Sequence, residues 1–373
     1  MKRPGRIWGE VSPRTALGTL ALALCGGALA AWLALPLAWL LGSVFVVGLA
    51  AVLGISPGPG RVDLPPIARS LAIPLLGAGI GAGFTPEVVA GMPQWWVTIL
   101  ALGLYLPLLH QMVYRILRRS AHLSEPTAFY AAVPGGLVES VQMGEAAGGD
   151  VQMMTLLHLL RMIACVLLIP PGLALVSGQD LSRLPVSPQG ADLAWWRAAA
   201  ELIVISLAGA GLGHLLRLPA AVFFGPLLMS ALAHATGLST ATLSPLVIIA
   251  AQVVIGAGLG AKFVAMSPRL LLIALRLTLF TSLASGTLAI GFALALSRLA
   301  GVDGYAVFLA YAPGGIIEMS LIAMSMQLNP IFVSSHHLLR IVFALIGVRL
   351  MAPATARPPV AGTHSARRGK AVR

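Results

Sequence analysis

The chain has 373 residues, of which 58% are hydrophobic and 10% charged, with 41 glycines, 26 prolines and a formal net charge of +12. Soluble domains carry about 25% charged residues, so a water-soluble globular protein is excluded. The positive charge does not mark a nucleic-acid binder either, because it gathers at the two ends and no helix-turn-helix or zinc pattern accompanies it.

The basic residues Lys2, Arg3, Arg6 and Arg14 open the chain, within a cytoplasmic segment expected over residues 1–15. A bilayer core about 30 Å thick requires roughly 20 apolar residues per crossing helix. Apolar runs near 16–35, 38–55, 67–84, 95–117, 127–147 and 153–176 form a first membrane repeat over 16–176. A polar linker over 177–195, with Gly178, Asp180, Arg183, Pro185, Pro188 and Asp192, separates it from a second repeat over 196–351. That repeat has runs near 196–216, 219–236, 243–262, 270–298, 305–326 and 331–351. A basic tail, 352–373, carries Arg357, Arg367, Arg368, Lys370 and Arg373. Cys25 and Cys165 both fall in apolar runs and read as small core residues without a disulfide framework.

The two repeats are read as copies. Gly26, Leu29, Leu33, Leu35, Pro36 and Gly42 match Gly209, Leu212, Leu216, Leu218, Pro219 and Gly225 at an offset of 183. The first run, which otherwise resembles a signal peptide, therefore has a counterpart in mid-chain. Further on the offset is 179: Gly77, Gly79, Gly81 and Phe84 align with Gly256, Gly258, Gly260 and Phe263, and His158 and Arg161 with His337 and Arg340. The change of offset places four extra residues in the first copy, within 55–65. The fold expected is an all-α integral membrane protein of two homologous repeats, each with five to six transmembrane helices. If each Pro-Gly-Gly segment is re-entrant, the chain crosses ten times and the halves are inverted; if it spans, the chain crosses twelve times and they are parallel. The basic residues do not decide between these, and ten crossings is the favoured reading.

Pro134-Gly135-Gly136 and Pro313-Gly314-Gly315 interrupt apolar stretches. Proline removes a donor and glycine removes the side chains that hold a helix, so the backbone should open. At membrane depth that is tolerated only inside protein or beside water, and paired interruptions of this kind mark transporter binding sites. A packing kink is the blander alternative. Glu139 and Glu318 follow three residues after the last glycine, either as first-turn caps or as a proton site or partner for a buried arginine. Arg161 and Arg340 sit among leucines, with His158 and His337 three residues earlier on the same helical face. The arginines either face the bundle interior, to pair with the glutamates or bind an anion, or snorkel to the interface. The histidines lack the spacing of a metal site. The ladders Gly77-x-Gly79-x-Gly81-x-Gly83 and Gly256-x-Gly258-x-Gly260 read as close helix contacts. Gln252 and Lys262 add polarity that Ile73 and Gly83 lack in the first copy.

The paired Pro-Gly-Gly-x-x-Glu segments, each followed by His-x-x-Arg, together with the Leu-Pro-x-x-x-x-x-Gly hairpin starts, resemble the AbrB membrane-protein family over roughly 16–351. The resemblance implies a duplicated membrane domain and carries two labels, a regulator of gene expression and an ammonia monooxygenase. A copper enzyme needs a ligand cluster that eight scattered histidines do not form. A DNA-binding regulator needs a soluble reading head, and the small soluble DNA-binding proteins that share the AbrB name are not similar to this chain. The expectation is a secondary transporter of a small anionic or amphipathic solute, coupled to protons, in the bacterial inner membrane with both termini cytoplasmic. The alternative is a membrane-embedded regulator that acts indirectly. No cofactor, metal or nucleic-acid partner is expected beyond the lipid bilayer, the solute and protons, and the oligomeric state is left open.

Overall fold

The computed structural model describes residues 11–84, 86–121, 123–178, 195–218, 220–264 and 268–353. Most of the expected amino-terminal segment and basic tail, Pro219, and residues 179–194 of the linker lie outside these. All regular structure among the described residues is helical. The helices are α1 (Pro13–Trp32), α2 (Ala38–Val52), α3 (Pro66–Gly81), α4 (Pro86–Gly91), α5 (Trp96–Ala121), α6 (Glu125–Ala131), α7 (Leu137–Ala146) and α8 (Val151–Ser177). They continue with α9 (Trp195–Leu215), α10 (Ala221–Ala235), α11 (Pro245–Gly260), α12 (Pro268–Ala300), α13 (Gly304–Tyr311), α14 (Ile316–Ser325) and α15 (Pro330–Met351).

Among the described residues, seven helical stretches are long and apolar enough to cross a membrane: Pro13–Trp32, Met92–Arg119, Val151–Ser177, Trp196–Leu215, Pro245–Phe263, Arg269–Ala300 and Pro330–Val348. Their outward faces are apolar. On α5, Leu100, Leu104 and Leu108 form an exposed stripe, while Leu102, Tyr105, Leu106 and Leu109 face inward and are buried. A helix apolar on both faces belongs in lipid, and the chain is an all-α multi-pass membrane protein.

The expected runs near 38–55, 67–84 and 219–236 are shorter as helices. Helices α2 and α10 have 15 residues and α3 has 16, or about 22–24 Å at 1.5 Å per residue, less than a bilayer core. Tight turns cut them off. Ala34 and Leu37 adopt positive φ between α1 and α2, as Arg217 and Ala220 do between α9 and α10, and Gly54 and Gly237 end α2 and α10 in the same conformation. One face of α2 and of α10 is covered by protein, while Phe45 and Leu49 of α2 and Leu228 and Leu232 of α10 stay exposed. Leu40, Leu41, Gly42, Val44 and Val47 of α2 are buried, as are Phe223, Phe224, Gly225 and Leu227 of α10.

The halves pack crosswise. Gly77 and Gly81 of α3 lie against the α10 backbone at Phe223 and Leu227, and Gly256 and Gly260 of α11 lie against the α2 backbone at Leu40 and Val44. A methyl group at any of the four would fall on main-chain atoms, so small residues are what let these helices meet. One expectation is corrected here: Cys165 is buried, but Cys25 is exposed, because α1 buries Thr19, Ala23, Gly26 and Gly27 and turns Cys25 away.

Candidate functional site

Two helical hairpins position the candidate residues. In the first, Ser124 caps α6, accepting from the Thr127 N–H, and the helix stops at Ala131 before Val133-Pro134. Gly136 takes φ +60 and starts α7. The chain then doubles back: Gly144 packs beside Tyr130, and the Asp150 N–H donates to Thr127 Oγ1 at 2.8 Å. Asp150 caps α8, which climbs alongside α6. His158 Nε2 meets the Tyr130 carbonyl at 3.1 Å, and Arg161 Nη1 donates to the Val133 carbonyl at 3.0 Å, each pair 28 residues apart. Arg161 Nη2 lies 3.0 Å from His158 Nδ1. A guanidinium only donates, so Nδ1 accepts, Nε2 carries the proton and the imidazole is neutral.

The second hairpin repeats this arrangement. Asp303 caps α13, which ends at Tyr311; α14 runs back, with Ser320 Oγ 2.7 Å from Ser334 Oγ; Asn329 caps α15. His337 Nε2 donates to the Leu309 carbonyl at 2.9 Å and accepts at Nδ1 from Arg340 Nη2 at 3.0 Å. Arg340 donates to the carbonyls of Ala312 and, at 2.7 Å, Gly314. Both guanidiniums therefore satisfy carbonyls that the Pro-Gly-Gly segments leave without helical donors. Arg340 is 3% exposed and does not snorkel.

The two tips meet the opposite hairpin's supporting helix. Gly135 and Gly136 pack against Ile341 and Leu345 of α15, and Gly315 packs against Met162 of α8. Arg161 and Arg340 are close enough for their charges to interact, and Tyr105 and Cys165 lie within the same electrostatic neighbourhood. Both Nε atoms are buried without a hydrogen-bond partner. A mainly apolar cavity of about 270 Å³ adjoins the first tip, lined by Leu106, Pro107, His110, Pro134, Phe343 and Gly347.

The glutamates are placed differently. Glu318 is 4% exposed, its carboxylate folded against Gly315, whereas Glu139 is exposed. The arginines donate to carbonyls and to histidine, and the cation that acts on Glu318 is Arg69 of α3. Arg69 was passed over in the sequence, although a charge inside the apolar run 67–84 was a signal. Also passed over was a buried set of hydrogen bonds between α5, α13 and α15. Tyr105 Oη donates to the Tyr311 carbonyl at 2.9 Å, Tyr311 Oη donates to the Thr98 carbonyl, and Thr98 Oγ1 lies 2.8 Å from His336 Nε2. Nothing local signals it, since Tyr105 and Tyr311 are 206 residues apart. Gln252 is 1% exposed, and neither of its amide atoms has a hydrogen-bond partner.

Comparison with known proteins gives a consistent result. The chain is 27% identical over 333 residues to "Putative regulator AbrB" of Escherichia coli (strain K12), spanning 87% of this chain and 90% of that protein. It is 22% identical over 348 residues to "Uncharacterized protein YhjN" of Bacillus subtilis (strain 168), spanning 87% and 89%. A family model described as "Transition state regulatory protein AbrB" matches residues 39–356. With most of its length under that one model, the chain belongs to the AbrB family.

Proposed function

We propose that this protein is a secondary transporter of a small anionic or amphipathic solute, built from two inverted copies of one membrane unit. Each copy contributes five crossings and one re-entrant hairpin, with both termini on the cytoplasmic side of the inner membrane. The observation that carries the reading is the pair Arg161 and Arg340. Two guanidiniums from separate hairpins are near enough for their charges to act on each other, donate to backbone carbonyls and leave both Nε atoms without a hydrogen-bond partner. Charges in a membrane core are costly and mark solute or ion paths, and two adjacent cations there favour an anion between them. In support of inversion, α6 and α8 run parallel through equivalent bonds, as do α13 and α15, so each Pro-Gly-Gly segment turns back before crossing. Glu139 and Glu318 are the candidates for proton coupling.

Flux of carboxylates and phosphates into proteoliposomes tests this. Arg161→Ala and Arg340→Ala should each abolish uptake, and Glu318→Gln should remove its dependence on a pH gradient. A protein that moves no member of such a panel above empty liposomes would overturn the reading. The second reading, a membrane-embedded regulator that acts indirectly, is favoured by the names of the family and of the Escherichia coli relative. The panel to assay first is chosen by thermal stabilisation, because a ligand that prefers the folded state raises its apparent stability.

A further inference from the structure

A second cavity, of about 510 Å³ and lined by charged side chains, lies between the start of α1, the loop from α2 to α3 and the end of α11. Ser12, Thr15, Arg61, Asp63, Arg69 and Lys262 are the polar side chains that line it. Three cations face one carboxylate. Asp63 accepts from the Leu64 N–H at 2.8 Å and its charge also acts on Arg69, so it offsets one of the three cations and leaves the lining positive. Hydrogen bonds to α1 pin the loop: the Gly60 N–H donates to Thr15 Oγ1 and the Asp63 N–H to Thr19 Oγ1, both at 3.1 Å. Arg69 forms the inner end, with Nη2 donating to the Gly258 carbonyl at 2.5 Å, and its charge reaches Glu318 at the second hairpin tip. Arg61 and Lys262 are exposed at the mouth.

The charged lining of this cavity has no counterpart among the equivalent described residues. At the 179-residue offset Ile248 stands in place of Arg69, and Gly83 in place of Lys262. The matching loop, 236–244, has no charged residue and is four residues shorter. Gly79, the counterpart of Gly258, is met by Leu243 instead of a guanidinium. The sequence thus departs from its own repeat at Arg61, Arg69 and Lys262, and the fold brings those departures to one place.

We propose that this cavity binds an anionic oxygen group, carboxylate or phosphate, held by Arg61, Arg69 and Lys262, with the Ser12 and Thr15 hydroxyls at its rim. Its further role as the entry vestibule for a transported anion rests on the transport reading. Binding itself does not, and the two are tested separately.

Equilibrium binding to the full-length protein in neutral detergent at low ionic strength is the test, with inorganic phosphate and succinate as soluble probes. Nanodiscs with and without phosphatidylglycerol form the lipid arm. Lys262→Gln and Arg61→Gln remove exposed side chains and should leave folding intact; Arg69→Gln is tested beside Arg69→Lys in case loss of the Gly258 bond unfolds the protein. Each neutral variant should weaken binding about tenfold, the scale of one charge-assisted contact, while Arg69→Lys retains most of it. Arg298→Gln, on the exposed end of α12, should change nothing. Loss confined to phosphate and succinate identifies a soluble anion; loss confined to stabilisation by phosphatidylglycerol identifies a lipid headgroup. Binding unchanged in all three neutral variants, or absent for every probe in the parent protein, overturns the site. Flux that is lost in Arg161→Ala while phosphate binding persists would separate this site from the transport centre.

Discussion

The two hairpins share a motif and differ at the tip. In the first, Gly135 and Gly136 take φ +140 and +60, Ser140 Oγ donates to the Gly135 carbonyl at 3.2 Å, and Glu139 is exposed. In the second, Gly315 is extended at φ −79, Arg340 donates to the Gly314 carbonyl, and Glu318 is buried. The His-Arg pair and its two carbonyl partners are the same in both. The scaffold is thus symmetric while the tips are not, so Pro-Gly-Gly-x-x-Glu admits two backbone states, one presenting its carboxylate and one folding it away. In an inverted-repeat transporter, that is how one face would stand open while the other is shut.

The largest contrast expected is in reactivity. In a background without Cys25 and Cys165, Glu139→Cys should react with a water-soluble maleimide and Glu318→Cys should not, because an exposed carboxylate has to face water and not lipid. Equal labelling would erase the distinction between the tips. The next effect is on stability, read by thermal unfolding in detergent. Arg340→Ala leaves the buried Ala312 and Gly314 carbonyls without the guanidinium and should cost about 3–5 kcal/mol, against about 1–2 kcal/mol for Arg161→Ala, whose Val133 carbonyl keeps the Gly135 N–H. Equal losses would mean that the extra bond to Gly314 contributes nothing. A smaller effect is expected at the glycines. Gly136→Ala forces a side chain into the left-handed region and should cost about 1–2 kcal/mol. Gly315→Ala meets no such backbone penalty but pushes on the Glu318 carboxylate, so it should show in the pH dependence of flux. The smallest concerns the turn after each hairpin, where Gly148 and Gln327 both hold positive φ at +79 and +56. Gln327→Gly should gain up to about 1 kcal/mol and Gly148→Ala should lose a similar amount.

Much of the helical layout was legible because lipid imposes a simple rule of long apolar runs ended by turn residues; α1, α5, α8, α9, α12 and α15 lie within a few residues of their expected bounds. The shortness of α2 and α10 was not legible, since the turns that cut them off place Leu37, Arg217 and Ala220 at positive φ, which their residue types do not signal. The placement of Arg161 and Arg340 beside opened carbonyls follows from a spacing that both hairpins share, 28 residues from carbonyl to guanidinium. The divergence of the tips was hidden, because identical motifs take their conformation from neighbours such as Ile341, Leu345 and Met162. Arg69 was visible and undervalued, its weight evident only once α3 is seen crossing α11.

The crosswise glycine contacts have a consequence for biogenesis. Helix α3 is completed by α10 and α11 by α2, so neither half can close over its own main chain. While the ribosome is still making the second half, the glycine faces of α2 and α3 have only lipid or an insertion factor to lie against. The nascent first half is then an open clasp that locks when its sister arrives, and expressing the halves from separate messages should yield folded protein only when both are made together.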